Sequence, residues 1–336
     1  MHLVQIARGD ERHVAVVREP ELMLLREVDS VLHLAQRALA EARPLTAVAE
    51  GLASGDTLRY DDVYSERSAW RLLAPIDVPG DPQRVTVSGT GLTHLGSARD
   101  RQAMHITPNA QEEAQMTDSM RMFEWGRQQG RPAEGTFGIA PEWFYKGDGS
   151  MVRGPFAALE IPGYAEDGGE EAELAAIYLI GDDGMPWRIG MATGNEFSDH
   201  VFERRNYLNL AGSKLRTCSI GPELVVGDSF LDVAGNVRIL RGDRLLWEKA
   251  IRTGEENMCH SLANLEHHHF KFAAHRQPGT VHIHFLGADC LSFGEGIRLE
   301  TGDVAEIQFE NFGRPLRNVI SKDEPVTAPV RVRPMQ

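Results

Sequence analysis

The sequence predicts an α+β fold in which β structure dominates. The first sign is a series of short apolar and β-branched runs: Ala157–Ile161, Leu174–Ile180, Leu224–Val226, Val237–Leu240, Val281–Leu286 and Val304–Phe309. The second is that Gly, Pro and Asp cluster in the turns between them. The third is that helical patterns are fewer, at Ala110–Arg127, Asp199–Leu208 and Ser261–Ala274. Many closely spaced strands with a few interspersed helices imply a mixed, mainly β domain that closes on itself.

The elements before this region are less uniform. His13–Val17 reads as a short strand, Ser30–Ala42 as a helix and Leu45–Leu52 as a second helical stretch. Tyr60–Tyr64 reads as a polar connector. Ala74–Pro82 is dense in turn formers and marks a boundary, after which Arg84–Val87 begins the run of strands. The expected division is a small N-terminal α/β domain over residues 1–75 and a larger catalytic domain over 76–336. No internal repeat or low-complexity tract interrupts either part.

The chain has 336 residues, 42% apolar and 25% charged, an ordinary globular composition. Its net charge of −14 argues against nucleic acid or an anionic membrane as partner, since both reward clustered Lys and Arg. A small anionic substrate is not excluded, because a metal ion supplies local positive charge. No segment approaches the roughly 18 apolar residues of a membrane span. Met1–Gln5 lacks the basic start and apolar core of a signal peptide. Cys218, Cys259 and Cys290 are odd in number and lack zinc-like spacing, so they read as reduced, buried thiols in a cytoplasmic protein.

The chemistry is concentrated at Glu171-Ala172-Glu173, which opens the apolar run Leu174–Ile180, and at Gly194–Asp199 downstream. Two carboxylates two apart on a strand share a face. A third beside them makes an all-oxygen pocket of the kind that holds Mg²⁺ or Mn²⁺. Read alone, the pair is more readily the end of an acidic loop that begins at Glu166.

From about Arg71 to Ile320 the chain resembles the fumarylacetoacetate hydrolase superfamily. The resemblance lies in a series of motifs in order. Arg71–Pro75, Gly89–His94 and Pro141–Lys146 come first, followed by Glu171-x-Glu173 and Gly194–Glu196. Ser213–Leu215, Ser219–Pro222, Gly302-Asp303 and Phe312–Asn318 complete it. The resemblance implies a rolled mixed β catalytic domain, a variable N-terminal domain, Mg²⁺ or a similar ion, and a dimer or larger homo-oligomer. It places Glu171, Glu173 and Glu196 at the metal-ligand positions and Lys214 beside the metal and substrate. Members usually carry Asp where this chain has Glu196, with Asp199 as a reserve ligand.

Superfamily members act on 2-oxo acids, whose carboxylate and keto oxygen bind the metal while charge develops on an enolate. Pro141–Lys146 resembles the segment that brings a Glu to substrate C3 in the 2-keto-3-deoxy sugar-acid dehydratases, which makes Glu142 the expected general base, with a raised pKa in a partly desolvated site. Ser213-Lys214, Cys218–Pro222, Asn257–Ser261 and Phe285–Asp289 are similar to the same branch. The resemblance therefore implies substrate-binding positions at Ser213, Gly287, Ala288 and Asp289. The expected reaction is dehydration of a sugar acid, a pentonate, to a 2-oxo semialdehyde, with a small anionic 2-oxo acid as partner and a place in pentose catabolism. Thr93-His94 points to an alternative: hydrolytic members place a His there, paired with an acid, to activate water. Here Asp100 is the nearest downstream acid. In the dehydratase reading His94 protonates the departing 4-hydroxyl. The alternatives are hydrolysis of the C–C bond of a 2,4-diketo acid, and a sugar-acid-binding protein without catalysis.

Other signals are weaker. His267-His268-His269 cannot chelate one ion together on a helix, because consecutive residues point about 100° apart. His282 and His284 alternate on a strand and face either a pocket or solvent. Gly89-Thr90-Gly91 and Gly294-Glu295-Gly296 lack the rest of any phosphate-binding pattern. The methionines of Ala110–Arg127 suit a packing or lid helix.

Overall fold

The computed structural model describes residues 1–105, 116–227 and 230–335. Among them, thirteen strands form one large mixed sheet and five form a second. The centre of the large sheet is the strand Ala172–Ile180, antiparallel to Pro186–Asn195 on one side and to Val281–Phe285 on the other. Val281–Phe285 then runs parallel to Val85–Gly91, which pairs antiparallel with Glu142–Asp148. The second sheet is built on Val233–Arg241, flanked by Arg244–Thr253 and Asp303–Phe309. The mainly β architecture read from the sequence is the one observed.

Every residue of Ala172–Ile180 is buried. One face, with Leu174, Ala176, Tyr178 and Ile180, packs toward Val237, Ile307 and Phe309 of the second sheet. The other face, with Ala175, Ile177 and Leu179, belongs to a core that includes Val31, Leu34 and Ala35 of the helix Val31–Ala40. Burial on both faces is why the strand reads as a continuous apolar run rather than an alternating one.

The N-terminal strands His2–Arg8, Glu11–Arg18, Glu21–Leu25 and Ala53–Arg59 extend the large sheet through pairing of His2–Arg8 with Leu224–Val225. Ser30 caps Val31–Ala40 by accepting from the His33 amide at 3.2 Å. Residues 45–51 form the second helix. Tyr60–Tyr64, read as a connector, is a five-residue helix whose Tyr60 and Val63 are buried. Its polar look comes from Asp61 and Asp62 on the outer side.

Two elements near the site were not legible. Pro186–Asn195 is a ten-residue strand, hidden in the sequence by Gly190 and Gly194, which weaken any strand pattern. Leu95–His105 is a helix of weak amphipathicity. The helix expected over Ala110–Arg127 is seen as Asp118–Gln129, with Thr117 as its cap. The start of that expectation, to residue 115, lies outside the described residues. Asp199–Leu208 is observed as a short helix, His200–Arg205, followed by a 3₁₀ turn, Tyr207–Asn209. Residues 261–274 begin with Ser261 as cap of the helix Leu262–Phe270. Among the described residues no helix is long and apolar enough to cross a membrane. Cys218, Cys259 and Cys290 are all buried and free.

Candidate active site

The antiparallel register of Ala172–Ile180 and Pro186–Asn195 sets Glu173 opposite Gly194 and Ala172 opposite Asn195. One further bond, from the Glu196 amide to the Glu171 carbonyl at 3.0 Å, carries the pairing past the strand end. Glu171, Glu173 and Glu196 thereby come together, each offering an oxygen within 4.8 Å of the others, all three buried. The neighbouring Glu170 alternates to the opposite side, where the Ser292 amide and hydroxyl bind it at 2.8 and 2.6 Å.

Two lysines face this trio. Lys214, at the end of the helix Leu210–Lys214, donates to Glu171 Oε1 at 2.6 Å and Glu196 Oε2 at 2.5 Å. Lys146 has no exposed surface, lies 2.6 Å from Glu196 Oε1, and donates to the carbonyls of Phe197 and Lys214. Ser198 donates to Glu196 Oε2 at 2.9 Å, and His200 lies 3.0 Å from Glu171 Oε1.

The electrostatics follow from this crowding. Burial by itself raises Glu171, but Lys214 and His200 outweigh it and hold the carboxyl well below the usual range. Glu173 is pushed well above the usual range by burial and by the charges of Glu171 and Glu196, which the amide of Gly287, donating at 2.6 Å, does not offset. Burial works against the charged forms of Lys214 and His200 too, yet their carboxylate neighbours raise both. In Lys146 burial wins and lowers the ammonium. Glu171 and Glu196 have cationic partners, whereas among the described residues Glu173 is met by the Gly287 amide and by no cation. That imbalance and the all-oxygen donor set fit a hard divalent cation of the Mg²⁺ or Mn²⁺ type.

Asp199 does not join them. Its carboxylate caps the following helix at the Phe202 amide, accepts from the Glu166 amide and pairs with Arg216 at 3.2 Å. The reserve-ligand role expected for it is therefore not the observed one, because every side of the carboxylate is engaged elsewhere.

The strand Glu142–Asp148 supplies the second part of the site. Its period of two puts Glu142, Phe144 and Lys146 on one face. Phe144 lies under the Lys214 ammonium, 4.7 Å from the ring centroid. Glu142 is 5% exposed, and its Oε1 accepts from Arg101 Nη1 at 2.7 Å. Its Oε2 is buried without a hydrogen-bond partner. Gly91, opposite Glu142 in the register, leaves room for this carboxylate: a Cβ there would lie 2.0 Å from Oε1. Arg101 also lies 2.9 Å from Glu203. Instead of an apolar pocket, Glu142 thus has a buried guanidinium beside it.

His94 is 1% exposed, with Nδ1 at 2.9 Å from the Thr93 hydroxyl and Nε2 at 3.1 Å from the Thr253 hydroxyl. Both nitrogens are occupied, and no carboxylate is among these partners. Burial pushes the imidazole down to about 4. Asp100 is instead near Gly294.

Of the remaining expected residues, Gly287 touches the trio, its amide donating to Glu173. Gly287 acts through its backbone: φ is +100°, and a Cβ would collide with Thr93 Oγ1 at 1.8 Å. Ala288 is buried in an apolar cluster with Leu291 and Phe293. Asp289 accepts from the Arg252 amide at 3.1 Å, and the Ser213 hydroxyl donates to the Leu210 carbonyl at 2.7 Å.

Lys146, Arg101, His200 and Glu203 were not singled out from the sequence. Lys146 left a signal, an inward-facing lysine in the alternation Glu142-Trp143-Phe144-Tyr145-Lys146. Arg101 and Glu203 left none, because their helices are short or weakly patterned.

No family model and no curated protein matches the sequence. Solved structures do match the fold. The apo form of 2-keto-3-deoxy-D-arabinonate dehydratase superposes with a TM-score of 0.70 at 17% identity, covering 96% of this chain and 100% of that one. The same enzyme complexed with magnesium and 2,5-dioxopentanoate gives a TM-score of 0.70, 17% identity and the same coverage. 5-Carboxymethyl-2-hydroxymuconate delta-isomerase from Mycobacterium smegmatis gives a TM-score of 0.58 at 16% identity, again over 96% of this chain and 100% of that one. The chain therefore has the fold of the fumarylacetoacetate hydrolase superfamily, and resembles its dehydratase structures more closely than this isomerase.

Proposed function

We propose that this protein is a hydro-lyase that removes water from a 2-keto-3-deoxy sugar acid, a five-carbon one by preference, to give a 2-oxo semialdehyde such as 2,5-dioxopentanoate. The observation that carries this reading is the pairing of two features. A buried carboxylate trio suited to a divalent cation adjoins Glu142, a buried carboxylate with one oxygen anchored and one free.

Glu171, Glu173 and Glu196 would hold the Mg²⁺ or Mn²⁺. When bound, such an ion supplies Lewis-acid stabilisation of the 2-oxo acid head and of the charge that builds there. The chain's own residues do the rest. The free Oε2 of Glu142 takes a proton from C3, and the ammonium of Lys214 faces the developing enolate charge. The C4–O bond then breaks with release of water as the C3–C4 double bond forms. Migration of that double bond to C4–C5 gives an enol, which tautomerises to the C5 aldehyde. His94, lowered to about 4 and held by two threonine hydroxyls, is a poor proton donor at neutral pH, so the proton for the departing 4-hydroxyl is better supplied by water. Glu142 returns its proton to C3 as the double bond migrates, and the C5 proton passes to water, which restores the proton spent on the departing hydroxyl. Backbone and apolar groups at Gly287 and Ala288 shape the pocket, and Ser213 and Asp289 support its walls. The same reading carries with it a small anionic 2-oxo acid as ligand, a homo-oligomeric assembly, a cytoplasmic location and residues 1–75 as a smaller accessory unit.

The test is mass spectrometry of the Mg²⁺-loaded protein incubated with 2-keto-3-deoxypentonates and a set of 2,4-diketo acids. Products lighter by one water, suppressed by EDTA and restored by Mg²⁺, are expected. Two fragments whose masses sum to substrate plus water would replace the dehydratase with a C–C hydrolase. Binding and thermal stabilisation without turnover would indicate a sugar-acid-binding protein.

A further inference from the structure

Arg101 is 6% exposed on the helix Leu95–His105, yet it is placed between two buried carboxylates. Glu142 Oε1 is 2.7 Å from its Nη1, and Glu203 Oε1 is 2.9 Å from its Nε. Glu203 is 1% exposed, and neither of its oxygens has a well-aligned hydrogen bond. One guanidinium therefore balances two buried carboxylates from two other elements, the strand Glu142–Asp148 and the helix His200–Arg205. A buried carboxylate without a counter-charge is costly, so the two acids compete for the same cation.

We propose that Arg101 and Glu203 form a positioning pair that sets the protonation and orientation of Glu142. Arg101 holds Oε1 of Glu142, and Glu203, seated on the Nε of the same guanidinium, shares its charge. The groups that face Glu142 are Arg101 and Glu203, with Tyr207 from the following 3₁₀ turn and Lys214 beyond Phe144. The Tyr207 hydroxyl is pushed up to about 12 by burial and by the charge of Glu142. It stays protonated and does not compete for the proton. Neither Arg101 nor Glu203 need touch substrate; both act through Glu142.

This assignment rests on the proposed role of Glu142, so its test reads Glu142 with and without substrate. The carboxyl of Glu142 is titrated by NMR of glutamate-labelled full-length protein, with Glu142→Gln to identify its signal. In parallel, the pH profile of water elimination is measured for the same variants. Arg101→Gln should move the titration midpoint and the acid limb of the rate upward by about one pH unit or more. Glu203→Gln should move both downward, and Arg101→Lys should restore most of the wild-type profile. Opposite signs are the signature, since a merely structural role lowers stability without displacing the two variants in opposite directions. Unmoved midpoints, or shifts of the same sign, would overturn the proposal. If Arg101→Gln does not fold, Glu203→Gln alone decides by the sign of its shift. Correct NMR shifts in a protein that eliminates no water would leave the positioning pair intact and sink the dehydratase.

Discussion

The strand Glu142–Asp148 divides two buried clusters of titratable groups that behave in opposite ways. On one face, Glu142, Phe144 and Lys146 look into a pocket of paired charges. On the other, Trp143 donates its indole N–H to His269 Nδ1 at 3.2 Å. His269 Nε2 lies 2.9 Å from His282 Nδ1, His275 bonds the His269 carbonyl, and Ser88 bonds His284 Nδ1 at 2.8 Å. Because Trp143 only donates, His269 must carry its proton on Nε2 and donate onward to His282. That chain works only with neutral rings. Burial pushes His282 and His284 down to about 3, and His269 lower still. Burial thus has two solutions: neutralise the group, as the histidines do, or keep it charged beside an opposite charge, as Glu171 does beside Lys214. The second leaves Glu173, among the described residues, without a cationic partner, and that gap is one a divalent cation can fill.

The contrast predicts its own failures. Glu171→Gln should remove metal-dependent turnover altogether, read by product formation with saturating Mg²⁺; retained turnover would move the metal away from the trio. Glu142→Gln should slow water elimination on the order of 10²–10⁴-fold if it is the general base, and a loss below about tenfold would demote it. Lys146→Met breaks a fully buried ion pair and should cost about 3–5 kcal/mol in urea unfolding, far more than a surface pair would.

The histidine side makes a prediction of the opposite kind. His94, His260, His282 and His284 are all lowered by burial, to about 4, 4, 3 and 3. The unfolded chain takes up protons below about pH 6.5 while the folded chain does not, so stability is full above that pH. It should decline as pH falls toward 3. His282→Gln should flatten this slope in denaturation curves, and an unchanged slope would mean that the cluster is not neutral. Smallest of all, His94→Asn should change turnover less than about tenfold, because both ring nitrogens already hold threonines. A complete loss, with Glu142→Gln still active, would favour the hydrolase.

What the sequence revealed follows the same division. Glu171 and Glu173 were legible because a strand places alternate residues on one face, and Glu196 because the motif resemblance placed it beside them. His267–His269 were read as a helical run that points in different directions, yet the cluster formed by His269 with His275, His282 and His284 was not visible. It is assembled by a helix, a 3₁₀ turn and a strand whose contact no local pattern encodes. Arg101 and Glu203 were missed for the same reason: their meaning lies in sharing a partner across the fold. Asp199 misled because an acid beside a metal-like motif is as readily a helix cap.

The most direct test of the central claim is calorimetric titration of Mn²⁺ into the wild-type protein, Glu171→Gln and His282→Gln. One ion per chain should bind to the wild type and to His282→Gln, and binding should vanish in Glu171→Gln. Undiminished binding in Glu171→Gln, or its loss in His282→Gln, would show that the carboxylate trio is not the cation site.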